Sequence, residues 1–294
     1  DDLGALVMLN HFQNKGEINL LGVVCWNTEQ HAVRAIDAVN THYGNPDIPI
    51  GLRAAAPYEV AWNHSKVIAA ELEHDATPDN VPEATALYRK ILSESADQDV
   101  TIVTVGPLMN IKKLLDSAPD DYSELDGTAL LHQKVKEMVI MGGQYPSGEN
   151  EWNFNGDMPG VTQYVLERLE LPITFSGYEL GVEVKTGEVF NTLPKTSPLY
   201  LGFYHFSQFA PWTKDAFNNR IHDNATYDQT AVLYAVRSGL GTYWHKVENG
   251  RCLADSTGGN QWIPSDSSNH AYLVLDVPPD SLAADIEGLM LGNF

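Results

Sequence analysis

Two adjacent carboxylates, Asp1 and Asp2, open an apolar pattern close to helical spacing: Leu3, Leu6, Val7 and then residues 9–12. Acidic side chains in a first helical turn sit well against the positive end of the helix dipole, which is their ordinary use. A pair of them at a helix start also has the chemistry to hold a hard divalent cation and a sugar hydroxyl. More oxygen-bearing side chains recur at the ends of later segments. Asn27 follows an apolar strand pattern, Glu151 and Asn153 follow another, and Asp228 lies in the first turn of a late helix. Each has a bland alternative: Asp228 as a dipole partner, Asn153 as an Asx-turn residue, Glu151 as a surface acid. Met141, before Gly142-Gly143, reads equally as core filler.

These residues need elements to position them. Apolar, partly β-branched segments at 17–25, 48–52, 100–105, 135–141 and 173–176 read as strands. Helical patterns fall between them, at 32–39 with Thr28 as its N-cap, and at 83–92, 111–115 and 161–169. Such alternation predicts an α/β fold with a mostly parallel central sheet flanked by helices, a Rossmann-like open sheet. Sites in these folds collect at the carboxyl ends of strands, and Asn27, Gly106, Met141 and Gly177 all fall there. Residues 54–82 read as one long loop carrying Trp62, Asn63 and His64, and residues 151–154 as a loop. In the last third, 200–217 and 226–236 are helical patterns, followed by short antiparallel strands at 244–247, 261–264 and 271–277 and a helix at 282–291. No repeat or linker interrupts the 294 residues, so a single domain is expected.

Composition narrows the functions. No apolar run approaches the roughly 18 residues of a membrane span. The net charge of -21 argues against a nucleic acid partner, whose phosphates want a basic face. Cys25 and Cys252 are too few for a thiolate cluster or a disulfide framework, and Cys25 reads as a buried free thiol. The chain starts without methionine, in mid-motif, and is read as lacking an N-terminal segment; its localisation therefore stays open.

Taken in order, the landmarks carry a resemblance. Asp1-Asp2 opens a helix, Gly106-Pro107-Leu108-Met109-Asn110 follows one strand, and Met141-Gly142-Gly143 follows the next. Glu151-Trp152-Asn153-Phe154 with Asp157, and Asp228 with Ala231-Val232, complete the set. The sequence resembles the nucleoside hydrolase family, the inosine–uridine-preferring nucleoside N-ribohydrolases. That resemblance implies a calcium ion held by Asp2, the backbone carbonyl of Val105 and Asp228. It implies a ribose hydroxyl on Asp1 with Asn27 beside it, Met141 facing the pocket, and Glu151 and Asn153 on the far side of the sugar. The implied reaction is hydrolysis of an N-riboside to base and ribose, through positive charge on the sugar like that of O-glycoside cleavage.

The sequence also departs from the family. The family pattern, Asp-x-Gly-x-Asp-Asp, has a first Asp that would lie four residues before Asp1, together with its strand. Tyr227 stands where many members have a histidine before the late Asp, which leaves His222 as a candidate acid for the leaving base. Trp62, His64, Tyr145, Trp212 and Trp244 are the candidates for surrounding that base, and the loop 144–150 reads as trimmed. Two other readings stand beside the enzyme: a catalytically silent relative that binds a ribosyl ligand, and an unrelated acidic-pocket hydrolase such as a phosphatase. The last needs a phosphate cradle, and only Lys112 and Lys113 lie near a suitable loop. The resemblance further implies a homo-oligomer, a dimer or tetramer.

Overall fold

Helix α1 (Asp2–Lys15) is buried over most of its first three turns: Leu3, Ala5, Leu6, Val7, Met8 and Phe12 are all inside. A helix this widely apolar belongs in a core rather than on a surface. It stops at Gly16, whose φ of 71° is left-handed and whose N–H closes onto the Gln13 carbonyl. The computed structural model describes residues 1–26, 29–54, 60–156 and 159–294.

After α1 come β1 (Val23–Cys25), α2 (Ala32–His42), β2 (Ile50–Leu52), α3 (Ser65–Glu71) and α4 (Ala84–Glu94). Then follow β3 (Val100–Thr104), α5 (Met109–Leu115), α6 (Gly127–Lys134), β4 (Val135–Met141), β5 (Ser147–Gly148) and α7 (Trp152–Asn155). The chain continues through α8 (Val161–Arg168), β6 (Ile173–Ser176), α9 (Tyr178–Val182), β7 (Lys185–Thr186), α10 (Pro198–Phe209) and β8 (Asn224–Ala225). It closes with α11 (Asp228–Arg237), β9 (Trp244–Ala254), β10 (Asn260–Pro264), β11 (His270–Leu275) and α12 (Pro279–Met290). These elements form two compact units, one from residues 1–84, 184–229 and 280–294, the other from 85–183 and 230–279.

In the first unit β1 and β2 pair in parallel, with Val23 opposite Ile50 and Cys25 opposite Leu52. The strand expected over 17–25 is therefore only three residues long, because its partner offers only three. The N–H of Leu20 goes instead to the Gln13 side chain at 2.7 Å. Cys25 is buried, in no disulfide, and packed with Val33, Ile50 and Ala76. Thr28 lies outside the described residues.

The second unit holds a seven-stranded sheet in the order β3-β4-β6-β11-β9-β10-β5. The pairs from β3 to β11 are parallel and those from β11 to β5 antiparallel. The expected α/β fold is present, with its parallel strands forming one side of a mixed sheet. Its antiparallel C-terminal strands do not stand apart, because β11 pairs with β6 on one side and β9 on the other. Strand β9 runs well past the expected 244–247, since polar Glu248-Asn249-Gly250 hides its continuation.

Three expectations need correction. The 54–82 stretch contains helix α3, which buries only Ile68 and Ala69 and so leaves no readable period. Residues 152–155 form a helical turn rather than a loop, started by the Glu151 side chain. The helix expected over 200–217 ends at Phe209, because Ala210 precedes Pro211 and is pushed to extended backbone.

Candidate active site and metal centre

In the first unit the start of α1 is gripped closely by its neighbours. A Cβ on Gly4 would collide with the Gln229 amide and stand 2.7 Å from the Met290 sulfur. A Cβ on Gly202 of α10 would collide with the Leu3 side chain. Two glycines thus let α1 approach the first turn of α11 on one side and α10 on another. The result is a convergence: ligand oxygens of Asp1, Asp2 and Asp228 lie within 4.8 Å of one another. Asp228 is buried at 3% exposure, whereas Asp2 is exposed. Asp1 is the N-cap residue, yet its side chain makes no capping hydrogen bond.

Three carboxylates this close repel one another unless a cation stands between them. The donors are all hard oxygens, with no thiolate or imidazole, which suits calcium, magnesium or manganese rather than zinc. The residues present therefore fit the divalent ion that the resemblance implies.

Beside this triad lies a cavity lined by Asp1, Leu3, His64, Phe206, His222 and Asn224, among others. The His222 backbone N–H donates to the Ser207 hydroxyl at 3.1 Å, while its buried Nε2 has no hydrogen-bond partner among the described residues. Burial pushes the His64 ring well below its usual pKa, so it stands neutral at physiological pH. The segment carrying His64 is held to α10 through the Ala61 carbonyl, 3.1 Å from His205 Nε2. Trp62 meets Trp212 edge to face at 5.8 Å, and Trp212 donates its ring N–H to Asn224 at 3.1 Å.

Three residues singled out from the sequence, Asp1, His64 and His222, thus line one cavity, with Trp62 and Trp212 adjoining through Asn224. Tyr227 is half-buried directly before Asp228 and is not among the lining residues. Asn27 lies outside the described residues. Sequence reasoning missed Ser207 and Asn224. Ser207 did carry a signal, as a buried hydroxyl in an otherwise aromatic helix.

In the second unit a closed ring of hydrogen bonds forms at the carboxyl end of β4. Asn153 donates its side-chain N–H to the Met141 carbonyl at 3.1 Å and to the Met141 sulfur at 2.9 Å. Glu151 accepts from the backbone N–H groups of Gly143 (2.8 Å), Asn153 (3.0 Å) and Phe154 (3.2 Å). Burial nonetheless raises the Glu151 pKa, the backbone donors opposing it. Because one end of the planar Asn153 amide is fixed on Met141, its oxygen points away from that carbonyl. Val105 directly follows β3 and is half-buried.

Two aromatic candidates are core side chains instead. Trp244 is fully buried and donates its ring N–H to the Ser238 carbonyl at 2.6 Å. Tyr145 stacks on Tyr272 at 4.8 Å. Lys112 is engaged by Asp116 at 2.5 Å and lies over the Tyr164 ring, which takes it away from any phosphate cradle.

A mixed α/β sheet, a three-carboxylate cluster at a helix start and an adjoining histidine-lined cavity together define an α/β protein with a candidate hard-cation site. Residues 1–281 match the family described as inosine-uridine preferring nucleoside hydrolase, and the chain belongs to that family. It is 29% identical over 214 residues to the non-specific ribonucleoside hydrolase RihC of Escherichia coli, covering 68% of this chain and 64% of RihC. The match thus spans less than two thirds of that relative. It is also 29% identical over 169 residues to the pyrimidine-specific ribonucleoside hydrolase RihA of Salmonella enteritidis, covering 52% of this chain and 49% of RihA. Among solved structures, the Bacillus anthracis inosine-uridine preferring nucleoside hydrolase superposes with a TM-score of 0.65 at 14% identity, over 99% of this chain and 95% of that one. The type III effector XopQ, solved with adenosine diphosphate ribose, superposes with a TM-score of 0.70 at 16% identity, over 100% and 90%. Both likenesses are of fold.

Proposed function

We propose that this protein hydrolyses the N-glycosidic bond of a ribonucleoside or related N-riboside, releasing free base and ribose, with calcium as its ion. The observation that carries the reading is the meeting of Asp1 and Asp2 with Asp228, from far apart in the sequence, beside a cavity holding His64 and His222. In the reaction a water oxygen joins the anomeric carbon as the carbon–nitrogen bond breaks, and the bond's electron pair leaves with the base.

Asp2 and Asp228 are assigned to the ion, and the Val105 carbonyl is kept as a proposed further oxygen ligand. When bound, the ion supplies acidity to a coordinated water and orientation to ribose hydroxyls. Asp1, whose carboxylate is not used for capping, accepts a ribose hydroxyl, and a carboxylate near the ion takes the proton of the attacking water. Asn153, Glu151 and Met141 are assigned to the sugar, the Asn153 amide oxygen opposing the positive charge that develops on the ring. Glu151 acts mainly through the three backbone donors that it holds. Asn27 is assigned to a ribose hydroxyl.

The leaving base accepts a proton from His222, whose Nε2 is the uncommitted nitrogen at the cavity; Tyr227 is the second candidate, with a phenol less suited by its pKa near 10. Neutral His64, together with Trp62, receives the base by hydrogen bonding and ring contact. A dimer or tetramer in solution is proposed on the family resemblance.

The test is release of free base and reducing sugar from a panel of ribonucleosides by the full-length protein, with calcium and with chelator. Calcium-dependent release is expected. Binding of nucleosides without release of base from any of them would leave a silent ribosyl-binding protein, and undiminished turnover in chelator would remove the ion from the mechanism.

A further inference from the structure

The turn that follows β4 has three consecutive backbone donors, each held by a different part of the second unit, and a fourth that faces a carboxylate. Gly142 donates to the Ser176 carbonyl at 3.2 Å and Gly143 to Glu151 at 2.8 Å. Gln144 donates to the Asn260 Oδ1 at 3.0 Å, and the Tyr145 backbone N–H faces the Glu179 carboxylate. Asn260 answers in the other direction as well, donating its side-chain N–H to the Gln144 carbonyl at 2.7 Å. One buried amide thus does for this residue what a facing strand would do.

Glu179 reaches the turn by folding back over Gly177. A Cβ at position 177 would collide with the Glu179 carboxylate and stand 2.7 Å from the Tyr145 ring. The Gly143 carbonyl is held too, by the Tyr178 N–H at 2.9 Å. Neither Asn260 nor Glu179 has a part in the chemistry proposed above. Turns of this kind ordinarily leave some backbone groups to water, so a turn this fully clamped is built to keep one geometry. What the turn carries is Met141 at one end and, through the Glu151 carboxylate, Asn153 at the other.

We propose that Glu179 and Asn260 are positioning residues, which fix the turn 142–145 so that the Asn153 amide keeps one orientation. The proposal rests on the assignment of Asn153 to the substrate. Neither residue is a catalytic residue; each acts through the turn.

The experiment joins kinetics to a readout that needs no activity. The Met141 methyl, on the sulfur that Asn153 contacts at 2.9 Å, is followed by methionine-methyl NMR after assignment with Met141→Leu. Asn260→Ala and Glu179→Ala are expected to shift or broaden this resonance while the other methionines keep theirs. Glu179→Gln, which retains an acceptor for the Tyr145 N–H, is expected to restore it. In turnover, Asn260→Ala lowers kcat by about tenfold, the scale of a small misplacement, with KM and calcium affinity unchanged. In an Asn153→Ala background the same substitution causes no further loss, because the group it positions is gone. A Met141 methyl unmoved in both alanine variants overturns the proposal, as do losses in kcat that multiply in the double variant. If the methyl moves while the wild-type protein hydrolyses no ribonucleoside, the proposed activity falls and the clamp stands.

Discussion

At the scale of single residues, the three carboxylates carry the largest consequences. Asp228 is buried at 3% exposure, so its charge is tolerable only with a cation or strong donors nearby. Replacing a carboxylate by an amide keeps the shape and removes the charge. Asp2→Asn and Asp228→Asn are therefore each expected to weaken calcium binding by more than about a hundredfold, beyond the 10–100-fold typical of residues that merely support a ligand. Isothermal titration with calcium checks this, and binding retained by both variants would separate the cluster from the ion. Taken singly, each of these acids reads equally as a dipole partner at a helix start, so they were legible only as members of an ordered set of landmarks. Asp1, His64 and His222 were legible as types, but nothing in their spacing showed that they share a cavity. Glu151 was misread in its surroundings: its work as the cap of α7 is invisible to a pattern that expects Ser, Thr, Asp or Asn in that place.

At the scale of elements, what places the carboxylates is close helix packing, and that rests on residues with no chemistry. Gly4 lies where a methyl group would meet Gln229 and Met290, both buried at 1% or less and without room to retreat. Overpacking of this kind costs about 1–3 kcal/mol, against roughly 0.5–1 kcal/mol gained by alanine over glycine within a helix. The packing loss wins. Gly4→Ala is expected to lower the melting temperature and to weaken calcium binding severalfold, both measurable on one preparation. A second device lies in the mixed sheet, where the His270 Nδ1 of β11 accepts the Cys252 N–H of β9 at 3.3 Å. Burial pushes the His270 ring down to about 4, from an ordinary value near 6.5. The folded state thus refuses a proton that the unfolded chain takes up. Its contribution is whole above pH 6.5 and is lost as the pH falls towards 4, a swing of about 3 kcal/mol at most. Urea unfolding across that range is expected to show a fall in stability that His270→Gln flattens. The sequence made the strands legible where apolar residues ran unbroken, as in β4, and hid them where pairing continued through polar residues, as in β9. Helix α3 was hidden for the opposite reason, being too short to show a period.

At the scale of the whole molecule, two facts bear on how an ion would act. The chain carries a net charge of -21, so the folded state works against its own repulsion. Two of the three clustered carboxylates are neighbours at positions 1 and 2, and the third, at 228, lies far from them in an unfolded chain. An ion that needs all of them binds the folded form alone, and its binding energy becomes folding energy. At a concentration a hundred times its dissociation constant, such a ligand stabilises by about 2.7 kcal/mol. For a chain of this length that corresponds to a rise in melting temperature of about 5 °C. General screening of surface charge by salt would also stabilise an acidic protein, so the two effects must be parted. Calcium is therefore expected to raise the melting temperature by more than sodium chloride of matched ionic strength does. Magnesium is expected to raise it less, because it demands a tighter octahedral shell and gives up its waters reluctantly. In Asp228→Asn the calcium-specific rise should vanish while the salt response remains. A rise of equal size in that variant would mean that the ion acts on the acidic surface and not on the carboxylates of α1 and α11.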